Sequence, residues 1–277
     1  MDYFRGKCVL LTGASSGIGL AAAKLLRQEG AHLILLARDE ERLAKAAATV
    51  GAIPAPGAEL HTLSLDLRDR QAVQAATDRL PTRRPVDILI NNAGYARPGY
   101  FEELPLEIFD EMMNTNYMGA VNLTKALLPE MMKRGGGHVT FVSSLVGLMG
   151  VFGYTAYAPS KFALRGFAES LRLEMKPHGI LVSICYPADT DTPGYANENR
   201  TKPPETRAIE GNVKMMSPEA AARKLLDGMA AGKFHILCSG SSWFAEYMYR
   251  LFPWMVRSMF DGSVSKASRT RPPTASA

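Results

Sequence analysis

The sequence is short of the residues that staple, ligate or anchor a chain. It has three cysteines in 277 residues, Cys8, Cys185 and Cys238. Each sits in an apolar run, at no spacing that suits a metal site or a secreted disulfide framework. Reduced core thiols, a cytoplasmic location and no metal are therefore expected. Long uninterrupted apolar runs are also missing: the most apolar long stretch near the end, 243–260 (WFAEYMYRLFPWMVRSMF), is broken by Glu246, Arg250, Pro253 and Arg257, which argues against a membrane span. The opening MDYFRGKCVLLTG is too short and too polar ahead of its first apolar run for a signal peptide, so export by that route is not expected. Nor is there a strong excess of one charge. Against 27 acids stand 32 lysines and arginines, a net +5 scattered along the chain. Binding nucleic acid by counterion release needs several bases on one face, so no nucleic-acid partner is expected.

What the chain does have is alternation. Short leucine-rich or β-branched runs (CVLLTG, HLILLAR, ELHTLSLD, DILINNAG, GHVTFVSS, GILVSICY) alternate with helical stretches such as GIGLAAAKLLRQEG and EERLAKAAATV. Strand then helix, repeated, predicts an α/β fold: a single Rossmann-type, doubly wound parallel sheet with helices on both faces. Residues 51–57 (GAIPAPG) read as a surface loop, and no internal repeat is found. The expected organisation is a catalytic domain over 1–240 that includes a helical substrate lid at 187–216, then an amphipathic, aromatic and Met-rich helical extension over 241–262. The tail, 263–277, has no apolar residue larger than Val264 and is expected to be disordered.

The first apolar run leads directly into TGASSGIG. This places Gly13, Gly17 and Gly19, with Ser15, Ser16 and Ile18, in a turn and the first turn of a helix. Backbone amides at such a helix end face an anion, and missing side chains let a pyrophosphate approach. The spacing is G-x-x-x-G-x-G, not G-x-G-x-x-G, and a plain tight turn is the alternative. Further motifs follow in order: Asp66-Leu67, NNAG at 91–94, Asn116, Ser144, and YAPSK with Tyr157 and Lys161; Ser144 lies thirteen residues before Tyr157. Singly, Asn91 and Asn92 read equally as a strand end, and Ser143 and Ser144 as a helix cap. As a set spanning about residues 5 to 235, they resemble the short-chain dehydrogenase/reductase family.

That resemblance implies an oxidoreductase using a nicotinamide dinucleotide. It carries the catalytic role onto Asn116, Ser144, Tyr157 and Lys161. Cofactor contacts fall on Gly13, Ser15, Ser16, Gly17, Ile18, Gly19, Asp66, Leu67, Asn92, Ala93, Gly94, Tyr157 and Lys161, and, beyond the sixth strand, on Pro187, Thr190 and Thr192. The chemistry is consistent with these roles. A carbonyl receiving hydride develops negative charge on oxygen, so it needs a proton donor and a hydrogen-bond donor, for which Tyr157 and Ser144 are suited. A free phenol has a pKa of about 10, so a neighbouring cation is expected to bring it toward neutrality. Lys161, at i+4, lies on the same helix face. The resemblance further implies that Lys161 holds the nicotinamide ribose and that Asn116 anchors a water relay to it. Pro159 withholds an N–H inside this helix, early enough to be tolerated.

The second strand ends LLARDEER, with no acid at its tip for a ribose diol. Arg38 is placed to meet a 2′-phosphate and Arg42 lies one turn on, which predicts NADPH; Asp39 fits a helix N-cap better than a ribose ligand.

The polar segment PADTDTPGYANENRTKPPE (187–205), with SKFALRGFAESLRLEMKP (160–177) before it, closely resembles the 3-ketodihydrosphingosine reductases. Ala188 stands where most family members have glycine. This narrower resemblance implies NADPH-dependent reduction of the 3-ketone of a long-chain 2-amino alcohol, a lipid amino-ketone substrate. Asp189 and Asp191 either attract the substrate ammonium or cap turns. The aromatic and Met-rich stripe at 243–260 either reaches an acyl chain or the membrane surface peripherally, or forms a subunit interface or core cover. A homo-oligomer, dimer or tetramer, is expected. Two competing readings are a reductase for another apolar ketone, such as a steroid or 3-oxoacyl thioester, and a non-catalytic NADP(H)-binding sensor; intact Ser144, Tyr157 and Lys161 speak against the sensor.

Overall fold

The central strands are buried on both faces, and their near-continuous apolar sequences are the reason. The computed structural model describes residues 2–80, 84–211 and 215–268. Among these, seven strands form one sheet: β1 (Cys8–Thr12), β2 (His32–Ala37), β3 (Leu60–Ser64), β4 (Ile88–Asn91), β5 (Gly137–Val142), β6 (Ile180–Tyr186) and β7 (His235–Leu237). All neighbours are parallel, in the order β3-β2-β1-β4-β5-β6-β7. The helices are α1 (Gly17–Gln28), α2 (Glu40–Gly51), α3 (Arg70–Thr77), α4 (Leu106–Met112), α5 (Gly119–Arg134), α6 (Tyr157–Met175), α7 (Pro193–Glu198), α8 (Pro204–Glu210), α9 (Pro218–Ala230), α10 (Gly240–Leu251) and α11 (Pro253–Ser268).

Side chains of a strand alternate between faces, and the register Leu10↔Ile34, Leu11↔Leu35 keeps each face consistent across the sheet. Val9, Leu11, Leu33 and Leu35 pack with Ala22, Ala23 and Leu26 of α1, Leu43 of α2 and Leu225 and Leu226 of α9. Leu10, Ile34 and Leu36 pack on the opposite face with Val73 of α3, Leu123 of α5 and Leu164 of α6. The result is the doubly wound sheet expected from the alternation. Its strand order reverses between β1 and β4, opening a crevice at the carboxyl edge where such sheets bind ligands.

Three local features bear on the site. Asp39 caps α2, accepting the Arg42 N–H at 3.0 Å, as its sequence position predicts. Pro159 is the third residue of α6, where the missing N–H is one of the four that a helix start leaves without an intrahelical partner. Between α4 and α5 the helix continues through a π turn, Met113–Met118.

Beyond β6 the chain crosses the carboxyl edge as α7 and α8. The C-terminal extension runs past its expected end: α11 continues through residues 263–268, within the tail expected to be disordered. It packs along α8, and Ser268 donates to the Glu205 carboxylate at 3.1 Å. Tertiary packing rather than local composition holds these residues helical; residues 269–277 lie outside the described ones. All three cysteines are buried and free, and no described helix is long and apolar enough to cross a membrane.

Candidate active site

The predicted residues converge on the carboxyl edge. Thr12, at the tip of β1, accepts the N–H groups of Asn92 and Ala93 on its hydroxyl, both at 2.9 Å. The Asn92 amide donates back to the carbonyls of Thr12 (3.0 Å) and Gly13 (3.3 Å). The glycine turn and the NNAG segment are thereby clamped together across the switch point. Sequence reasoning passed over Thr12, although its place immediately before Gly13 was visible. Gly17 has φ +54°, and a Cβ there would lie 3.0 Å from the Thr192 methyl, so the lid residue Thr192 rests directly on the glycine turn. No side chain caps the start of α1 at Ser16, and its first turn holds no acid, which leaves the positive helix end free for a phosphate. At Gly94 a Cβ would come within 2.9 Å of Asn116 Oδ1 and 3.2 Å of Lys161 Nζ. The site therefore requires a bare backbone where Asn116 and Lys161 meet it.

The two arginines lie in different surroundings. Arg42 lines a groove of about 470 Å³ with Ser15, Ser16, Gly17, Lys24 and Lys45. Exposed Arg38 instead exerts its charge on Asp66 and Tyr95. Asp66 is gripped by Arg68, with Nη2 to Oδ2 at 2.6 Å, and this pairing holds its carboxyl below the ordinary range. Leu67 is buried beneath it, with its carbonyl accepting from Asn122 at 2.9 Å.

Asn116, Ser144, Tyr157 and Lys161 come together from three elements. π turns recur at functional sites because the extra residue re-aims the helix face; here the turn accompanies a fully buried Asn116. Its amide exchanges two 3.0 Å hydrogen bonds with the Tyr95 backbone and donates to Ser160 Oγ at 3.0 Å. Ser160 in turn donates to the Tyr157 carbonyl at 2.7 Å, so the π turn is tied to the start of α6. Ser144 Oγ accepts the Val146 N–H at 3.3 Å, the cap its sequence context allowed, and it lies close enough to the Tyr157 phenol to act on its ionisation. Lys161 Nζ lies 5.7 Å from the Tyr157 ring centroid and donates to the Val142 carbonyl at 2.9 Å.

The electrostatics differ from the sequence expectation. Burial pushes the Tyr157 phenol well above its ordinary value, Glu198 and Asp189 add to the rise, and Ser144 opposes it. Burial also lowers Lys161 to about 8. At neutral pH the phenol is therefore neutral, and desolvation rather than the lysine sets its state.

The lid side of the site contains residues that sequence reasoning missed. The Tyr154 ring centroid lies 5.8 Å from that of Tyr157. Its hydroxyl donates to Glu198 of α7, with Glu210 of α8 also within reach of the same proton at 3.2 Å. Lys202, its side chain wholly buried, pairs with Glu198 at 3.0 Å and Glu210 at 2.8 Å. The available signals were the i, i+4 pair Glu198 and Lys202 and the position of Tyr154 three residues before Tyr157. Pro187 and Thr190 are buried at the exit of β6, Thr190 donating to the Ala188 carbonyl at 2.7 Å. Half-buried Asp189 has no side-chain hydrogen bond or ion pair among the described residues, and burial followed by Glu210 raises it to about 6. Asp191 is exposed.

Residues 7–203 match the short chain dehydrogenase family. A 3-dehydrosphinganine reductase of Danio rerio is 42% identical over 232 residues, spanning 83% of this chain and 70% of that protein. A 3-ketodihydrosphingosine reductase of Dictyostelium discoideum is 40% identical over 251 residues, 84% and 74% of the two chains. Among solved structures, a short-chain dehydrogenase from Sphingobium yanoikuyae in complex with NADPH has a TM-score of 0.74 at 26% identity, covering 98% of both chains.

Proposed function

The chain belongs to the short-chain dehydrogenases, a family of oxidoreductases, and from that premise we propose that it reduces the 3-ketone of 3-ketodihydrosphingosine to sphinganine with NADPH. The observation that carries this reading is the similarity over more than four-fifths of the chain to proteins named for that reaction. The lid supports it: an ammonium beside the ketone needs a carboxylate near the phenol, and Asp189 is a half-buried carboxylate there with no side-chain hydrogen bond or ion pair among the described residues. Exposed Asp191 is left to the turn.

The residues present fit the cofactor. The uncapped start of α1 offers N–H groups to phosphates, and the bare backbone at Gly94 leaves room beside Lys161. Gly13, Ser15, Ser16, Gly17, Ile18 and Gly19 would hold the pyrophosphate side, with Asp66, Leu67, Asn92, Ala93 and Gly94 along the crevice. Pro187, Thr190 and Thr192 would hold the nicotinamide end, and Arg38 and Arg42 the 2′-phosphate. When bound, the reduced nicotinamide supplies the hydride. Tyr157, neutral at working pH, gives its proton to the carbonyl oxygen while Ser144 donates a hydrogen bond to the same oxygen. Lys161 stabilises the phenolate left behind, and Asn116 holds the start of α6 in register. Exposed Phe162 and Leu173 on α6 offer an apolar face to a second copy of the chain.

The test is NADPH oxidation by the purified protein against 3-ketosphinganine, a steroid ketone and a 3-oxoacyl thioester, with Tyr157→Phe alongside. The expected result is a preference for 3-ketosphinganine of at least about tenfold in kcat/KM. Tyr157→Phe should abolish turnover while NADPH titration shows binding nearly intact. Preference for another ketone overturns the substrate, and substantial turnover by Tyr157→Phe removes the phenol from the acid role.

A further inference from the structure

Tyr154 stands between the catalytic floor and the lid. On the floor side, its carbonyl accepts the Ala158 N–H of the first turn of α6 at 2.8 Å, and its ring lies against that of Tyr157. On the lid side, its hydroxyl reaches carboxylates on both lid helices. These helices have six and seven residues, too few to hold themselves without tertiary support. The support is ionic and buried: Lys202 joins Glu198 to Glu210, and its ammonium sits 4.4 Å from the Tyr195 ring centroid. Nearby, Thr206 of α8 donates to the Phe152 carbonyl at 2.8 Å, so residues 152–154 form the floor on which the lid is seated.

We propose that Tyr154 is a positioning residue that latches the lid onto the catalytic floor through Glu198, Lys202 and Glu210, and so places the Glu198 carboxylate facing Tyr157. The consequence for the proton donor, which rests on the reading of Tyr157 as the acid, follows from charge. The groups facing the phenol are Lys161 on its own helix, Ser144 after β5, Asp189 after β6, Glu198 on α7, and Tyr154. With Lys202 shared between two glutamates, the lid presents net negative charge to the phenol, and negative charge holds a phenol protonated. A latched lid therefore favours the reductive direction, and an open one loosens both substrate enclosure and the state of the donor.

The test compares wild type with Tyr154→Phe, which keeps the ring and removes the latch, and with Glu198→Gln, which keeps an acceptor for the hydroxyl and removes the charge. Hydrogen–deuterium exchange over residues 193–210 should rise in Tyr154→Phe while the sheet stays protected. KM for 3-ketosphinganine should rise by about tenfold or more with kcat within about threefold, because the closed fraction falls and the chemistry does not. In NADP+-dependent oxidation of sphinganine, which needs the phenolate, Glu198→Gln should move the rising limb to lower pH. A purely structural role would lower the melting temperature and rate together without moving that limb. Unchanged exchange in Tyr154→Phe overturns the latch, and an unmoved limb in Glu198→Gln overturns the charge placement. If wild type fails to act on 3-ketosphinganine, the substrate reading falls and the exchange result alone decides the latch.

Discussion

At the scale of single residues, burial acts on the two titrating groups of the site in opposite directions. It raises the Tyr157 phenol and lowers the Lys161 ammonium to about 8. In the proposed reduction both must carry their protons: the phenol because it gives one up, the lysine because its charge stabilises the phenolate. As pH rises, the lysine is the first to deprotonate. Reductive kcat/KM should therefore be level between about 6, where the Asp189 carboxyl takes up its proton, and about 8, and fall about tenfold per pH unit above that, since this parameter reports the free enzyme. In Lys161→Arg the guanidinium stays charged, so the limb should vanish even though the overall level drops. A limb that survives the substitution belongs to another group. Tyr157 and Lys161 were legible in the sequence because their four-residue spacing is local to one helix. Tyr154 was not, because its partner Glu198 is 44 positions away and only the folded lid brings them together. The raised phenol was equally hidden: the sequence shows the neighbouring lysine but not the loss of water around both groups.

At the scale of elements, β2 and α2 each deliver one arginine, and the fold separates them. Arg42 lines the groove beside the glycine turn with Ser15 and Lys24, whereas Arg38, at the strand tip, acts on Asp66 and Tyr95. A 2′-phosphate held chiefly by Arg38 predicts that Arg38→Asp raises the NADPH Kd by at least about tenfold and leaves the NADH Kd little changed, because an acid repels the phosphate and accepts from a ribose hydroxyl. Arg42→Ser should have the smaller effect. Fluorescence titration of both variants with both cofactors checks this, and the reverse order would place the phosphate in the Arg42 groove. The strands were readable because a doubly covered parallel sheet needs unbroken apolar runs, and β1, β2 and β4 are buried at every position. The cap at Asp39 was readable from the glutamates after it. The π turn at Met113–Met118 was not, since no local residue type demands it and packing around Asn116 decides it. The extent of α11 was hidden for the same reason: its last residues are helical because α8 lies alongside.

At the scale of the molecule, α10 and α11 carry a dense set of exposed apolar side chains. Eight large apolar side chains of these two helices and their junction are exposed, among them both tryptophans of the chain, Trp243 and Trp254. Elsewhere on α11, Val256 is buried, and the helix packs on α8. The exposed and the packed residues can therefore be tested separately. Removing both helices also removes the support of the lid, so a truncated protein would lose fold and activity together and distinguish nothing. Replacing Trp243, Phe244 and Trp254 with serine changes only exposed positions, where substitutions usually shift stability within about 0.5 kcal/mol, so the melting temperature should hardly move. If this face receives the acyl chain of the substrate, wild type should favour a long-chain 2-amino-3-ketone over a short-chain analogue by about fourfold per buried methylene, the equivalent of about 0.8 kcal/mol each. The triple variant should lose most of that preference while keeping its rate on the short ketone. Retention of the full preference would route the chain elsewhere. A change in elution volume on size-exclusion chromatography, with chain-length preference intact, would assign the face to a second copy of the protein instead.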